Sequence, residues 1–437
     1  MAEIPWLNSS AKPSAIGTGS RPSSANPSSR DSRSGLASAR LSALADCLAV
    51  AVAISLPWST SATSILIVLW LMALLPTLNI RSVHWAFASP AGALPVLLWV
   101  LGAVGMLWSD VSVSERLAGL NGYHKLLVVP LLLAQFHGRS QGKWVLLGFT
   151  GSCTVLLVLS WALVLIPGLS WRGRNVPGVP VKDYILQSAV FAICAFALLG
   201  QAAELWRRRA LLALALVGLA AAFLANILFI ETARTTLVFA AVLLVLFGLR
   251  QFDLKGAIVA CVLGVAIIGA AWLSSPYLRE RVLHAIEDMR NYGPRNVNTT
   301  VGLRFEYWRK SLAFIAEAAL FGHGTGSIPQ LFRSHATAEM HPATIATNPH
   351  NQMLVIVLEL GSLGGVMLLA MWVTHLALFR GAGVVSWFGL LIVVQNIVSS
   401  FFNSHLFDFT QGWLYVFMVG VAGGIVSGDS KAFNDPH

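Results

Sequence analysis

Three basic side chains stand out because each is expected to lie where the long apolar runs meet the polar outer face of the protein. Arg234 opens the run TARTTLVF, Arg304 lies in GLRFEYW, and His350 lies in NPHN just before another apolar run. An arginine side chain binds phosphate oxygens with a planar fork of donors and keeps its charge at any working pH. Histidine is the side chain best suited to accept a proton near neutral pH. These residue types fit a reaction in which a phosphate leaves and a hydroxyl is deprotonated.

Each of the three also has an ordinary structural explanation when it is taken alone. Arg234 can reach lipid headgroups or pair with Glu231, Arg304 can be an exposed charge on an amphipathic helix, and His350 can cap or pack against a helix. A metal in place of the arginines needs clustered carboxylates, and the polar segments offer only scattered ones. Four histidines show no standard metal-ligand spacing, namely His323, His335, His341 and His350. We therefore expect no metal and no other cofactor.

The elements that carry these residues are predicted to be membrane-spanning helices. Of the 437 residues, 56% are hydrophobic and 11% are charged, whereas about 25% of the residues of a soluble domain are charged. The apolar residues form long uncharged runs, and about 20 such residues cross a bilayer as a helix. These runs are too long for barrel strands. The cysteines all lie within apolar runs, which argues against a disulfide framework or a zinc site.

The runs predict an all-α integral membrane protein with about twelve transmembrane helices. The predicted spans are residues 41–58, 61–79, 90–108, 124–137, 143–167, 183–201, 209–230, 234–249, 256–274, 352–378, 383–400 and 411–427. Residues 1–40 are predicted to be a disordered, basic cytoplasmic tail, since they are rich in Ser, Ala and Pro. An even number of spans then places residues 428–437 in the cytoplasm as well.

The distribution of basic residues bears on this orientation. The short loops predicted to be cytoplasmic carry many arginines and lysines, in agreement with the positive-inside tendency. The opposite loops are basic too, and this fits a function that needs cations outside the cytoplasm. A miscounted span would instead place some of these loops inside. Because the basic residues lie between spans, the formal net charge of +10 does not indicate a nucleic-acid partner.

Residues 275–351, between the blocks of spans at 41–274 and 352–427, are predicted to be a large helical periplasmic segment that contains the site. Residues 276–291 and 300–320 both show helical spacing, and Thr299 or Thr300 suits the N-cap of the second helix. The apolar stripe of this helix suits an interfacial position on the outer leaflet. The stripe consists of Val301, Phe305, Trp308, Leu312, Ile315 and Leu320.

Taken in order, these motifs resemble the O-antigen ligase family of polytopic bacterial membrane proteins. The resemblance covers about residues 225–380 and rests on three stretches. They are TARTTLVFAAVLLVL at 232–246, GLRFEYWRKSLAFIAEAALFGHGTGS at 302–327 and NPHNQMLVIVLELGSLGGVMLL at 348–369. Some relatives have a second histidine where this chain has Asn348.

The resemblance implies a GT-C-like fold and assigns roles to the three basic residues. Arg234 and Arg304 match the positions that bind the donor pyrophosphate, and His350 matches the catalytic histidine. The transfer is implied to be metal-independent and to invert the anomeric centre of the lipid-linked sugar. Four further residues are candidates because they are expected to border the same outer cavity, namely Lys182, Gln187, Asn351 and Asp408.

The implied activity is that of a glycosyltransferase in the inner membrane of a Gram-negative bacterium, with its active site facing the periplasm. An O-antigen ligase transfers O-antigen polysaccharide from undecaprenyl diphosphate to lipid A–core oligosaccharide in lipopolysaccharide biosynthesis, and we favour this activity. Donor, acceptor and membrane lipids are then the partners.

Other activities stay open at this point. An O-antigen polymerase extends one lipid-linked glycan with another, and a protein O-oligosaccharyltransferase uses Ser or Thr as the acceptor. The short C-terminal segment counts against the second of these. A lipid or glycan transporter would favour polar residues at mid-membrane and internal repeats, and Glu359 is the clearest buried charge.

Overall fold

Helices account for the regular structure of the computed structural model, and no strand is found among the residues that it describes. Those residues are 28–166, 168–169, 178–181, 183–230, 233–252, 254–290, 299–336 and 345–432. Helix α1 begins at Ser28, before the predicted end of the basic tail at residue 40, and residues 1–27 lie outside the described part.

The helices follow one another with short connections. They are α1 (Ser28–Ser55), α2 (Thr60–Leu74), α3 (Ile80–Ala88), α4 (Pro90–Gly105), α5 (Val113–Asn121), α6 (Val128–Gln135), α7 (Gly142–Leu165), α8 (Tyr184–Leu205), α9 (Ala210–Phe229), α10 (Arg234–Gln251), α11 (Leu254–Ser274), α12 (Pro276–Arg290), α13 (Thr300–Glu317), α14 (Ile328–Ser334), α15 (Gln352–Leu378), α16 (Val384–Ser400) and α17 (Phe409–Ala432). Short 3-10 helices precede α3 and α6, at Leu75–Thr77 and His124–Leu127.

The number of candidate membrane spans among the described residues is slightly lower than the predicted twelve. Within the described ranges, nine helices are long and apolar enough to cross a membrane, and two bent pairs raise the number to eleven. The pairs are α3 with α4, bent by 74°, and α5 with His124–Gln135, bent by 48°. Helix α16 has only 17 residues. Each predicted span coincides with a helix or with part of a bent pair, but the count of twelve is not confirmed.

The centre of the bundle is formed by α8 and α17. The apolar windows of these two helices are 83% buried, whereas that of α11 is only 17% buried. Helix α8 packs against α9, α10 and α16, and α17 packs against α6 and α16. Because α8 and α17 are enclosed on most sides, the residues at which they begin have well-defined positions.

Helix α13 packs against α15 and leaves an apolar edge exposed. Its N-cap is Thr299, as the sequence suggested, with Oγ1 accepting a hydrogen bond from Gly302 at 3.0 Å. Phe314 is buried, whereas Leu312 of the predicted stripe is 61% exposed. Lys310, which is not part of that stripe, is buried as well.

Helix α15 is interrupted, and a glycine-rich stretch closes the gap. Gly361 has φ 65° and ψ −164°, so the helical hydrogen bonds are broken there. The backbone N–H groups of His323 and Gly324 donate instead to the carbonyl oxygens of Leu358 and Glu359, at 2.8 and 2.9 Å. Such carbonyls would otherwise be without partners inside the protein. The stretch FGHGTGS at 321–327 is therefore a structural partner of α15.

The side chain of Glu359 ties this junction to the neighbouring helices. Its Oε1 accepts from the backbone N–H of Gly326 at 2.9 Å, and its Oε2 accepts from the hydroxyl of Tyr123 at 2.8 Å. A Cβ on Gly322 would lie 2.6 Å from the backbone of Glu359, and the φ of Gly322 is +68°. Only glycine fits at that position without displacing the backbone.

We expect Gly322→Ala to destabilise the protein by about 2 kcal/mol or more, because it combines a left-handed backbone with a steric clash. The midpoint of thermal unfolding in detergent measures the effect. Gly218→Ala is the matched control, since a Cβ at Gly218 in α9 meets no atom within 4 Å. An unchanged midpoint for Gly322→Ala would mean that the junction at Gly361 is not packed as described.

Candidate functional site

His350 lies in a sharp turn directly before α15. Its φ is 53°, a left-handed conformation that is uncommon outside glycine. The backbone N–H of His350 donates to Asn348 Oδ1 at 2.8 Å, and the indole N–H of Trp308 on α13 donates to the carbonyl of Pro349 at 3.0 Å. Asn351 is the N-cap of α15. The turn is therefore fixed by α13, through Trp308, and by α15, which begins directly after it.

The imidazole of His350 is held by a chain of two polar side chains. Its Nδ1 lies 2.9 Å from Asn403 Oδ1, and Asn403 Nδ2 donates to Asp408 Oδ2 at 3.1 Å. An ionised carboxylate only accepts hydrogen bonds, so the amide nitrogen of Asn403 faces Asp408 and its oxygen faces the imidazole. A neutral His350 then carries its proton on Nδ1, and its Nε2 keeps a lone pair.

A ring contact adds to this arrangement. The ring of Tyr307 on α13 stacks on that of His350, with centroids 6.2 Å apart and planes inclined by 28°. Residues 401–408, which connect α16 to α17, supply both Asn403 and Asp408. The orientation of His350 therefore depends on how firmly this connection is held.

The connection is anchored by Lys125, Asn351 and Gln352. The Lys125 ammonium is buried and donates to the carbonyl oxygens of residues 406, 407 and 408, at 3.2, 2.9 and 2.8 Å. Asn351 Nδ2 donates to the carbonyl of Phe401 at 3.1 Å, and Gln352 Oε1 accepts from the N–H of Leu406 at 3.1 Å. These bonds fix the connection to the start of α15 and hence to His350.

Arg234 and Arg304 are neighbours, and both belong to the same region. Burial lowers the pKa of the Arg304 guanidinium, and the positive charge of Arg234 lowers it further, while Tyr184 acts in the opposite direction. Burial also lowers the pKa of His405 to about 4, and the charge of Arg304 contributes to that effect. Arg304 therefore lies near Tyr184, where α8 begins, and near His405 in the connection, and Arg234 lies near Arg304.

The partners of the two arginines differ. Arg234 Nη1 lies 3.8 Å from Asp288 Oδ2 on α12, and Glu231 lies outside the described residues. No carboxylate pairs with Arg304 among the side chains that the structure describes. Two neighbouring cations repel each other, so such a pair is typical of a site that binds an anion. A diphosphate has the charge and the number of oxygens that this pair suits.

Two cavities adjoin the 401–408 connection. The smaller has a volume of about 210 Å³ and is lined by Asp183, Ile185, Leu186, Asn403, His405, Asp408, Phe409, Thr410 and Gln411. The larger has a volume of about 630 Å³, and its wall includes Glu115, Lys125 and Asn348 as well as Val68 on α2. Phe409 lines both cavities and is thus a shared wall.

The four additional candidates have different positions. Asp408 lines the smaller cavity, and Asn351 caps α15 next to His350. Gln187 is buried elsewhere, with Nε2 donating to Ser160 Oγ at 3.1 Å and to the carbonyl of Gly178 at 3.0 Å. Lys182 lies outside the described residues.

Sequence reasoning missed Asn403, His405, Tyr184 and Tyr307. A signal was present for two of them, because FFNSHLFDF at 401–409 places Asn, His and Asp between two apolar runs. Polar residues so close together at the end of a span are candidates for function. Tyr184 and Tyr307 carry no such signal, since each is one aromatic residue in a helix.

The comparisons with known proteins concern the central part of the chain. Residues 219–369 match the model of a family described as O-antigen ligase. An uncharacterized protein of Haemophilus influenzae is 29% identical over 142 residues, which are 31% of this chain and 35% of the relative. The chain thus spans about a third of the length of that curated relative.

The matched region contains Arg234, Arg304 and His350, whereas Asn403 and Asp408 lie beyond its end. It also contains the three stretches on which the sequence resemblance rests. The predicted resemblance to the O-antigen ligase family is confirmed for residues 219–369.

Proposed function

We propose that this chain is an O-antigen ligase of the Gram-negative inner membrane, with both termini in the cytoplasm. It transfers O-antigen polysaccharide from undecaprenyl diphosphate to lipid A–core oligosaccharide on the periplasmic side. One observation carries the proposal: Arg304 and the oriented imidazole of His350 adjoin the same connection, residues 401–408, and Arg234 is a neighbour of Arg304. A cation pair and a base at one site are what displacement of a diphosphate by a hydroxyl requires.

In this mechanism the arginines act on the leaving group. The diphosphate of the donor binds Arg234 and Arg304, whose planar forks each hold two oxygens. Negative charge grows on the phosphate oxygen as its bond to the anomeric carbon breaks, and the fixed positive charges stabilise it. The diphosphate leaves with the electron pair of that bond.

His350 acts on the acceptor. Its Nε2 takes the proton of the attacking hydroxyl while the hydroxyl oxygen forms the new bond to the anomeric carbon. Attack on the side opposite the leaving group inverts the configuration. The imidazolium that forms is stabilised by Asn403 on Nδ1 and, through Asn403, by Asp408.

The larger cavity supports a route for the acceptor. Its volume of about 630 Å³ lies in the range of about 300–1,000 Å³ that is typical of sites for organic ligands. One wall is Val68 of α2, which is 56% exposed, so the cavity reaches the apolar outer surface of the bundle. An amphiphile with a sugar head and acyl chains fits such an opening.

Transport is less well supported. The buried carboxylate that a transporter would use is that of Glu359, and both of its oxygens accept hydrogen bonds from Gly326 and Tyr123. Polymerase and protein-glycosylating activities use the same donor chemistry and differ in the acceptor, so an experiment with defined acceptors separates them.

The decisive experiment is transfer by the purified protein supplied with undecaprenyl-diphosphate glycan, lipid A–core and EDTA. We expect a core-linked glycan, and we expect His350→Ala to reduce its formation at least about 100-fold, because general base catalysis contributes about that much or more. His284→Ala, an exposed histidine of α12, is the matched control and should keep full activity. Longer lipid-linked chains without core-linked product would identify a polymerase. Wild-type activity of His350→Ala would remove His350 from the mechanism.

Arg304→Lys should reduce transfer about tenfold or more. A lysine keeps the positive charge, but its ammonium cannot bind two phosphate oxygens with a planar fork. Arg309→Lys, on the same helix and with an exposed side chain, is the control for the same replacement. Full activity of Arg304→Lys would mean that Arg304 is only a surface charge.

Asp408→Asn should lower kcat about tenfold or more and change KM little. The new amide can donate as well as accept, so it no longer fixes Asn403, whose NH₂ can then turn towards His350. The imidazole proton would move to Nε2, and the base would be lost. Measured kcat and KM of the purified variant test this, and an unchanged kcat would show that the chain of hydrogen bonds does not orient His350.

A further inference from the structure

Gln411 is a buried amide whose hydrogen-bonding groups the protein does not use. It lies in the first turn of α17, where only 6% of its surface is exposed. Within the described part of the chain, neither its Oε1 nor its Nε2 has a hydrogen-bond partner. Buried polar groups without partners are destabilising and rare in folded proteins. Because Gln411 lines the smaller cavity, a ligand in that cavity can supply both partners.

The chemistry of the smaller cavity indicates a neutral ligand with hydroxyl groups. Six of its nine lining side chains are polar, namely Asp183, Asn403, His405, Asp408, Thr410 and Gln411. The two carboxylates can only accept hydrogen bonds, whereas the amide, imidazole and hydroxyl side chains can both donate and accept them. With its pKa lowered to about 4, His405 is neutral at physiological pH. The two carboxylates disfavour an anion at close range.

The size of the cavity limits the ligand to one ring. Its volume of about 210 Å³ corresponds to about seven water molecules at about 30 Å³ each. It is smaller than the roughly 300 Å³ at which sites for larger organic ligands begin. A monosaccharide fits, and the rest of a glycan has to continue outside. Phe409 and Leu186 provide apolar wall for the C–H groups of the ring.

The cavity also borders both halves of the proposed site. On one side Asp183 precedes Tyr184, and His405 lies near Arg304. On the other side Asn403 contacts His350. The sugar that is transferred from the diphosphate to the acceptor has to lie between the leaving diphosphate and the base that activates the acceptor.

We propose that the smaller cavity binds the first sugar of the donor, the ring bonded to the diphosphate, and that the amide of Gln411 bonds two of its hydroxyl groups. The proposal rests on the function proposed above and adds the site at which the transferred sugar is recognised. Gln411 is thereby a residue that contributes to donor specificity.

Equilibrium binding of two ligands to the full-length protein in detergent tests the proposal. One is undecaprenyl diphosphate that carries a single sugar, and the other is undecaprenyl diphosphate without sugar. We expect Gln411→Leu to weaken binding of the sugar-bearing lipid about tenfold, the effect of two lost hydrogen bonds. Binding of the sugar-free lipid should not change. Gln251→Leu, the same replacement at the far end of α10, is the control and should leave both affinities unchanged.

A stability measurement accompanies the binding experiment. Without ligand, Gln411→Leu should keep or raise the thermal midpoint, because it removes a buried amide that has no partners. Gln411→Met, with an unbranched side chain of similar length, serves as a second variant if leucine does not fit. A variant that folds well but binds the sugar-bearing lipid poorly is expected if Gln411 binds the ligand. It is not expected if Gln411 has only a structural role.

The outcomes separate this proposal from the function on which it rests. Equal loss of affinity for both lipids, or no loss for either, overturns the sugar site even if the unaltered protein transfers glycan. An unaltered protein that binds neither lipid and transfers no glycan overturns the proposed function, and the sugar site with it.

Discussion

The buried ammonium of Lys125 is the interaction on which the geometry of the site depends. A connection between two membrane helices exposes several carbonyl oxygens, and inside a protein each of them needs a donor. One ammonium has three donors, and here they serve three consecutive carbonyls, those of residues 406–408. Removing the ammonium would leave the carbonyls of residues 406 and 407 without this donor, whereas that of Asp408 also accepts from the N–H of Gly412 at 3.1 Å. The connection that orients His350 through Asn403 is thus held by a side chain that need not touch the substrates.

The helix termini make this region favourable for an anion. Helices α8, α10, α15 and α17 begin at or next to Tyr184, Arg234, His350 and Phe409. The start of a helix carries a partial positive charge and unpaired backbone N–H groups, and both favour an anion. Two neighbouring arginines add to that field, at a cost in repulsion that the bound ligand offsets. The polar segments of the chain therefore meet at an electropositive end of the bundle.

The sequence predicts the membrane-spanning helices because their signal is local, since apolar runs of about 20 residues mark spans wherever they occur. Arg234 and His350 lie at the borders of such runs, Arg304 lies in the polar segment between two of them, and the roles of all three stay predictions. The interruption of α15 had no such signal, because Gly361 lies inside the apolar run predicted as one span at 352–378. The interruption is stabilised by hydrogen bonds from a glycine-rich stretch that is distant in sequence. Nor does the sequence indicate that the buried amide of Gln411 lacks hydrogen-bond partners among the described residues, because those partners depend on tertiary contacts.

In the proposed mechanism, Asp408 connects recognition of the donor with activation of the acceptor. Its carboxylate holds Asn403 and so determines which nitrogen of His350 is free, while the same residue forms part of the wall of the smaller cavity. A sugar bound there replaces water next to that carboxylate. Lower local polarity strengthens the remaining hydrogen bond to Asn403. If the smaller cavity is the donor-sugar site proposed above, its occupation would favour the tautomer in which Nε2 of His350 is free to accept a proton, and Asp408 would couple the two events.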